Sequence, residues 1–219
     1  MARLSLRLTL FAPAALAAAL VTAAPAAGRE EVVPDRDGAL WRGVATENDR
    51  DRLRHWRDAW TEALAQANRS NAAAIAAGGA LFDPDTALPG AQPPAGDYAC
   101  RTIKLGRMAP GGSASGTLDY VEYPAFRCRI SETGGRLRFT KLTGSQRPAG
   151  NIFPDNGRRL IFLGTLILGD ETRALRYGRD EERDMIGIIE RVGDNRWRLV
   201  FPHPHYESLL DVIELTPLR

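Results

Sequence analysis

The chain has 219 residues, 44% of them hydrophobic and 26% charged, with 29 Lys and Arg against 27 Asp and Glu. That length supports one domain with a real core and gives no sign of a second. The excess of two positive charges resides in Arg3 and Arg7, so the chain beyond them is formally neutral, and no overall charge directs it to nucleic acid.

Arg3 and Arg7 precede an almost uncharged, Ala- and Leu-rich run from Leu8 to Ala27 that contains the small-residue triplet Ala24-Pro25-Ala26. This is the pattern of a secretory signal over residues 1–26, cleaved on export. A run of roughly 20 apolar residues also just spans a bilayer. Against that reading, Ala is only weakly hydrophobic, Pro13 and Pro25 interrupt the run, and a small-residue exit is what a signal peptidase needs. No Cys follows the run, which argues against a lipid anchor. The expected location is the periplasm or the exterior, with no stable membrane span after signal removal.

Residues 27–45 read as a flexible lead-in. Residues 46–82 read as a helical prelude: Thr46 caps a helix from about Glu47 to Asn68, with Asp49 three residues on. Leu53, Trp56, Trp60, Leu64 and Ala67 form its apolar stripe, and a short Ala-rich helical piece follows over 71–77. Pro84, Pro89, Pro93 and Pro94 make residues 83–95 a linker.

From residue 96 to 219 the pattern becomes β, packed with the prelude as one domain. The expected strands are Tyr98–Leu105, Leu118–Ile130, Leu137–Leu142, Leu160–Leu168, Met185–Val192, Arg196–Phe201 and Leu209–Leu215, with an eighth near Asn151. The fold class is therefore α+β, an N-terminal helix or helix pair followed by an antiparallel β domain, and a barrel is favoured over a two-sheet sandwich.

Cys100 and Cys128 are the two cysteines. In an oxidising compartment a disulfide is the simplest reading. A closed loop of about 29 residues would then stabilise the fold by roughly 3.5 kcal/mol in the chain-entropy model. A thiol nucleophile or metal ligand is the alternative, although the spacing fits no metal motif. A hairpin with Cys100 facing Cys128 has its midpoint in the Gly- and Ser-rich stretch 111–116, and would set Tyr98 opposite Ile130 and Thr102 opposite Phe126.

Longer strings carry a family likeness. They include Gly96-Asp97-Tyr98, Cys100-Arg101-Thr102-Ile103-Lys104-Leu105-Gly106, Tyr123-Pro124-Ala125-Phe126-Arg127-Cys128 and Lys141-Leu142-Thr143-Gly144-Ser145-Gln146-Arg147. Phe162-Leu163-Gly164-Thr165, Tyr177-Gly178-Arg179-Asp180 and Asp211-Val212-Ile213-Glu214-Leu215 continue it, and Trp41-Arg42 and Ala45-Thr46 begin it. On these strings the chain resembles the bacterial domain of unknown function 4893 family of secreted proteins. The resemblance covers nearly all of the chain beyond the signal, and brings neither a reaction nor functional residues.

Polar residues on apolar strand faces are the sharpest candidates for a site. Lysine occurs only at 104 and 141, a bias toward arginine that reads as base composition rather than as a binding role. Period-two alternation puts Lys104 on the face of Tyr98, Cys100 and Thr102, and Lys141 on that of Leu137 and Phe139. It puts Glu122 with Leu118, Tyr120, Phe126 and Cys128. Buried charges must pair or meet a ligand, whereas at strand ends the same three side chains would simply reach solvent. Gln146 and Arg147 sit beside Lys141 and add donors for a carboxylate or phosphate, although a β-turn accounts for Gly144–Pro148 equally well. The ligand-binding candidates are thus Lys104, Glu122, Lys141, Gln146 and Arg147.

His203, His205 and Glu207 would project to one side of an extended segment and form a weak metal-like cluster. Pro202 and Pro204 also make this an ordinary rigid loop, and no metal or cofactor is assigned. Arg179–Asp184 reads as a solvated charge run, and no hydrolase motif is present. The expectation is an exported binding or accessory protein whose partner is a small anionic or amphiphilic molecule, or an envelope protein. An envelope hydrolase with an unrecognised constellation is the alternative.

Overall fold

The computed structural model describes Val32, residues 40–108 and residues 119–218. The expected signal over 1–26, most of the lead-in and the turn expected at 111–116 lie outside these residues. Within them the chain builds helices α1 (Trp41–Val44), α2 (Glu47–Arg54) and α3 (Trp56–Gly78), then a short 3-10 turn, Gly79–Leu81. Nine strands follow: β1 (Gly96–Arg107), β2 (Tyr120–Glu122), β3 (Phe126–Thr133), β4 (Arg136–Lys141), β5 (Gln146–Asn156), β6 (Arg159–Leu168), β7 (Asp184–Gly193), β8 (Arg196–Pro202) and β9 (Ser208–Pro217).

Thr46 caps α2, its hydroxyl accepting from the Asp49 amide at 3.2 Å. The continuous helix expected over 47–68 is instead interrupted at His55 (φ −97°, ψ 18°). The Ala-rich piece expected over 71–77 belongs to α3, joined to it through a kink at Asn71 (φ −153°, ψ 60°). One face of α3, Ala59, Trp60, Ala63 and Ala67, packs on the outward side chains Ile103, Leu105, Val200 and Val212. The small alanines let the helix sit close on β1. At Gly106 (φ +71°) a Cβ would lie 2.9 Å from the Cα of Ala63.

The strands run antiparallel in the order β2-β1-β3-β4-β5-β6-β7-β8-β9, and β1 also pairs with β9. Eight strands therefore close into a barrel, and β2 extends β1 on the edge that β3 leaves free. Closure removes the exposed edges of an open sheet. At the crossing of β5 and β6 the barrel is drawn tight by paired glycines: a Cβ on Gly150 would overlap the Leu163 carbonyl, and one on Gly164 the Ala149 carbonyl.

The register of the first hairpin differs from expectation. Tyr98 faces Cys128 and Cys100 faces Phe126, and the Cys100–Cys128 disulfide spans a diagonal, with Cα atoms 5.9 Å apart. The strand expected over 118–130 is divided at Tyr123-Pro124-Ala125 into β2 and β3. Proline has no N–H to continue the ladder. The division also resets the alternation, so Glu122 does not share a face with Phe126 and Cys128.

Tight turns at 134–135, 157–158 and 194–195 close one end of the barrel. There Tyr98 packs edge-on against Trp197, with ring centroids 6.3 Å apart. Phe139, Phe162 and Phe201 fill the middle in edge-to-face contacts of 5.9 and 5.6 Å. The other end carries the longer connections 123–125, 142–145, 169–183 and 203–207. No helix among the described residues is long and apolar enough to cross a membrane.

Candidate functional site

At the end with the longer connections the barrel interior is not filled, and a cavity of about 140 Å3 opens among the strand ends. Its apolar wall includes Phe126, Pro148, Leu166, Met185, Phe201 and Ile213. Its polar groups come from several elements: Thr102 and Lys104 from β1, Lys141 from β4, Gln146 from β5, Asp184 from β7 and Asp211 from β9. Arg52 reaches it from α2, and His205 and Glu207 from the β8–β9 loop. An apolar pocket with a few convergent polar groups is the usual form of a small-molecule site.

Lys104, 6% exposed, is held by two carboxylates. Its Nζ lies 2.9 Å from Glu207 Oε2 and 3.3 Å from Asp211 Oδ2, and Ser208 Oγ donates to the other oxygen of Asp211. Burial works against the charge on Lys104, but Asp211 and Glu207 more than offset it and hold the amine above the ordinary lysine value.

Lys141, 4% exposed, has no such partner. Its Nζ donates to the Gln146 carbonyl at 2.8 Å and sits 3.8 Å from the centroid of the Phe126 ring. Among the described residues no carboxylate lies within 4 Å of it. Burial, with repulsion from Lys104, pushes the Lys141 amine down to about 8. Two further residues of the cavity lining, Thr102 and His205, each carry a buried side-chain atom, Thr102 Oγ1 and His205 Nε2, without a hydrogen-bond partner. Such groups are rare in folded proteins, because each retains a desolvation cost that water or a ligand would relieve.

Of the residues singled out in the sequence, Lys104, Lys141 and Gln146 therefore meet at one cavity. Glu122 does not join them. It lies on the outer face, accepting from Arg101 at 2.5 Å and from the Tyr120 hydroxyl at 2.6 Å. Arg147 donates to the carbonyls of Gly144, Gly169 and Glu171, each at 2.7 Å, and so ties two connections together beside the cavity.

The segment 203–207 is not extended. His203 (φ 45°) and Glu207 (φ 73°) both take left-handed backbone conformations. As a result His205 and Glu207 line the cavity while His203 does not. Among the described residues no group of three or more His, Cys, Asp or Glu is gathered as a metal site.

The charge run at 179–184 is anchored at its edges rather than wholly solvated. Tyr177 and Asp184 are buried: Tyr177 Oη donates to Asp49 Oδ2 at 2.6 Å, and the Gly178 amide donates to Asp184 Oδ1 at 2.9 Å. Arg52 pairs with Asp49 and donates to the Asp184 carbonyl at 2.7 Å, which brings α2 to the cavity rim. Burial, more than the nearby charges, pushes the Asp184 carboxyl up to about 6.

Asp211, Thr102, Arg52 and Asp184 were not among the sequence candidates. Asp211 carried a signal, since it shares the period-two face of Ile213 and Leu215. Arg52 carried none, because its place depends on how α2 lies against β7.

The family model for a domain of unknown function, DUF4893, matches residues 41–215. No curated protein and no solved structure matches the chain. The match runs from α1 to β9 and so takes in the helices, the closed barrel and every cavity residue named above. The chain therefore belongs to the DUF4893 family.

Proposed function

We propose that this is an exported binding protein whose barrel cavity holds a small amphiphilic anion, with a carboxylate as the head group. The observation that carries this reading is the buried ammonium of Lys141, which faces the cavity without a carboxylate partner. An uncompensated buried cation is costly, and a ligand carboxylate would supply the missing charge. Thr102 Oγ1 has free capacity to donate to it, and Phe201, Leu166, Met185 and Ile213 offer an apolar bed for the remainder of the ligand. Export is supported by the Arg3/Arg7 start, the apolar run and the Ala-Pro-Ala exit, and it suits the paired Cys100 and Cys128.

A cavity of about 140 Å3 is close to the size that accepts benzene in a protein interior, which makes benzoate a suitable probe. Titrating benzoate into the processed protein should shift the amide resonances of β1, β4 and β9 and raise the melting temperature. Lys141→Met should abolish both effects. Unchanged resonances at saturating benzoate would sink the reading. Amino-terminal sequencing of the exported protein should begin at Ala27.

A further inference from the structure

Of the 29 Lys and Arg residues only Lys104 and Lys141 are lysines, and both are buried in the wall of one cavity. Arginine supplies every other side-chain cation of this kind. A guanidinium stays protonated under all ordinary conditions, whereas a buried amine sheds its proton readily and is then a nucleophile. Amine chemistry is thus concentrated where a small molecule would sit.

The two amines are not equivalent. Lys104 is committed to Glu207 and Asp211. Lys141 has only the Gln146 carbonyl and the Phe126 ring. The charges acting on Lys141 are Lys104 from β1, Arg147 from β5 and Asp211 from β9, with His205 and Glu207 from the β8–β9 loop, Glu182 just before β7, Asp184 at its start and Arg52 from α2 lining the same space. Burial and the two cations lower the Lys141 amine to about 8, so it sheds its proton far more readily than an ordinary lysine.

We propose that Lys141 is a nucleophilic amine that captures a small aldehyde or ketone in the cavity as a reversible imine. The neutral Nζ attacks the carbonyl carbon to give a carbinolamine. The carbon–oxygen bond then breaks, and the oxygen departs as water with the two protons that Nζ loses. No oxidant or reductant enters. Thr102 belongs to the same lining and its buried Oγ1 has no hydrogen-bond partner, so a small rotation of that side chain would let it donate to the carbonyl oxygen. Lys104 acts as a positioning residue, its charge disfavouring a proton on Lys141. The inference rests on the reading that the cavity admits a small molecule, but not on that molecule carrying a carboxylate.

The test treats the full processed chain with benzaldehyde and cyanoborohydride, which reduces an imine to a stable benzylamine, and maps the product by peptide mass spectrometry. The label should fall on Lys141, faster than on Lys104 by on the order of a hundredfold, since each unit between their amine values is a factor of ten in free amine, and at least as fast as on the amino terminus. Its rate should be half-maximal near pH 8, and Lys141→Arg should lose it. Equal labelling of the three amines, or the same pattern in urea-unfolded protein, would overturn the inference, and mapping the unsubstituted chain keeps this decisive even if the variant misfolds. Labelling of Lys141 that excess benzoate does not slow supports the inference while refuting a carboxylate ligand. Benzoate binding without label on Lys141 refutes the inference alone.

Discussion

Lys104 Nζ and Glu207 Oε2 meet at 2.9 Å across the barrel mouth, joining β1 to a loop residue held in a left-handed conformation at φ 73°. A non-glycine residue pays for that conformation in steric strain, and the ion pair is what the strained geometry delivers. The second carboxylate, Asp211, belongs to β9, the strand that closes the barrel onto β1.

The two acids should therefore differ in weight. Asp211 has a side chain only 12% exposed and shares a buried charge with Lys104. Asp211→Ala should destabilise by about 3 kcal/mol, at the lower end of the range for a broken buried pair. Glu207 is 37% exposed, so solvent screening limits Glu207→Ala to about 1 kcal/mol. Urea denaturation at pH 7 checks both. The Lys104 contribution is complete at that pH, since a raised amine value means stability is lost only as pH rises past the ordinary lysine range.

Asp184 should give the protein an acid-side slope of the opposite sense to most carboxylates. The unfolded chain releases this proton near the ordinary aspartate value of 3.8, whereas burial makes the native protein keep it until about pH 6. Between these values the native state binds more protons, so this group's contribution falls as pH rises from about 4 to 6 and is level above that. Asp184→Asn should remove that component. Urea midpoints measured at intervals across the window should decline less steeply with pH in the variant, and parallel profiles would refute the assignment.

The disulfide lies wholly inside the barrel, with both cysteines fully buried and 28 positions apart in sequence. Replacing both by alanine should cost roughly 3.5 kcal/mol in the chain-entropy model. The loss should come without a change of fold, because β1 remains paired with β9 along its length. Far-ultraviolet circular dichroism together with guanidinium unfolding separates these outcomes.

Arg198 is fully buried on the outer face of the barrel. It pairs with Glu190 at 2.7 Å and donates to the carbonyls of Ala80, Leu81 and Asp83 at 3.0, 3.2 and 2.7 Å. It thereby fastens the end of the helical segment to β8. Arg198→Ala should cost about 3–5 kcal/mol, since it strands Glu190 and three carbonyls. The double change Arg198→Met with Glu190→Leu should recover a substantial part, because it removes the stranded charge as well as the pair. Thermal denaturation of the single and double variants measures the difference.

Much of this protein was legible residue by residue. The period of two placed Lys104 with Tyr98 and Cys100, and Lys141 with Leu137 and Phe139, on the faces that the closed barrel turns inward. That inference is safe within an unbroken strand, because successive side chains must alternate. It failed at Glu122, where counting crossed Tyr123-Pro124-Ala125 and lost phase. The eleven-residue β5 was only partly visible, since Pro148, Gly150 and Pro154 interrupt its pattern and only pairing with β4 and β6 holds it extended.

What the sequence determined by itself is local: the helix cap at Thr46, most of the strands, and the residues with which each lysine shares a strand face. These follow from short-range sterics and alternation. Only the tertiary structure decided that β1 meets β9, that Arg52 and Asp184 reach the same rim, and that Lys104 takes both carboxylates while Lys141 takes none. Those relations join residues as far apart as Arg52 and Asp184, and distance along the chain says nothing of them until the barrel closes.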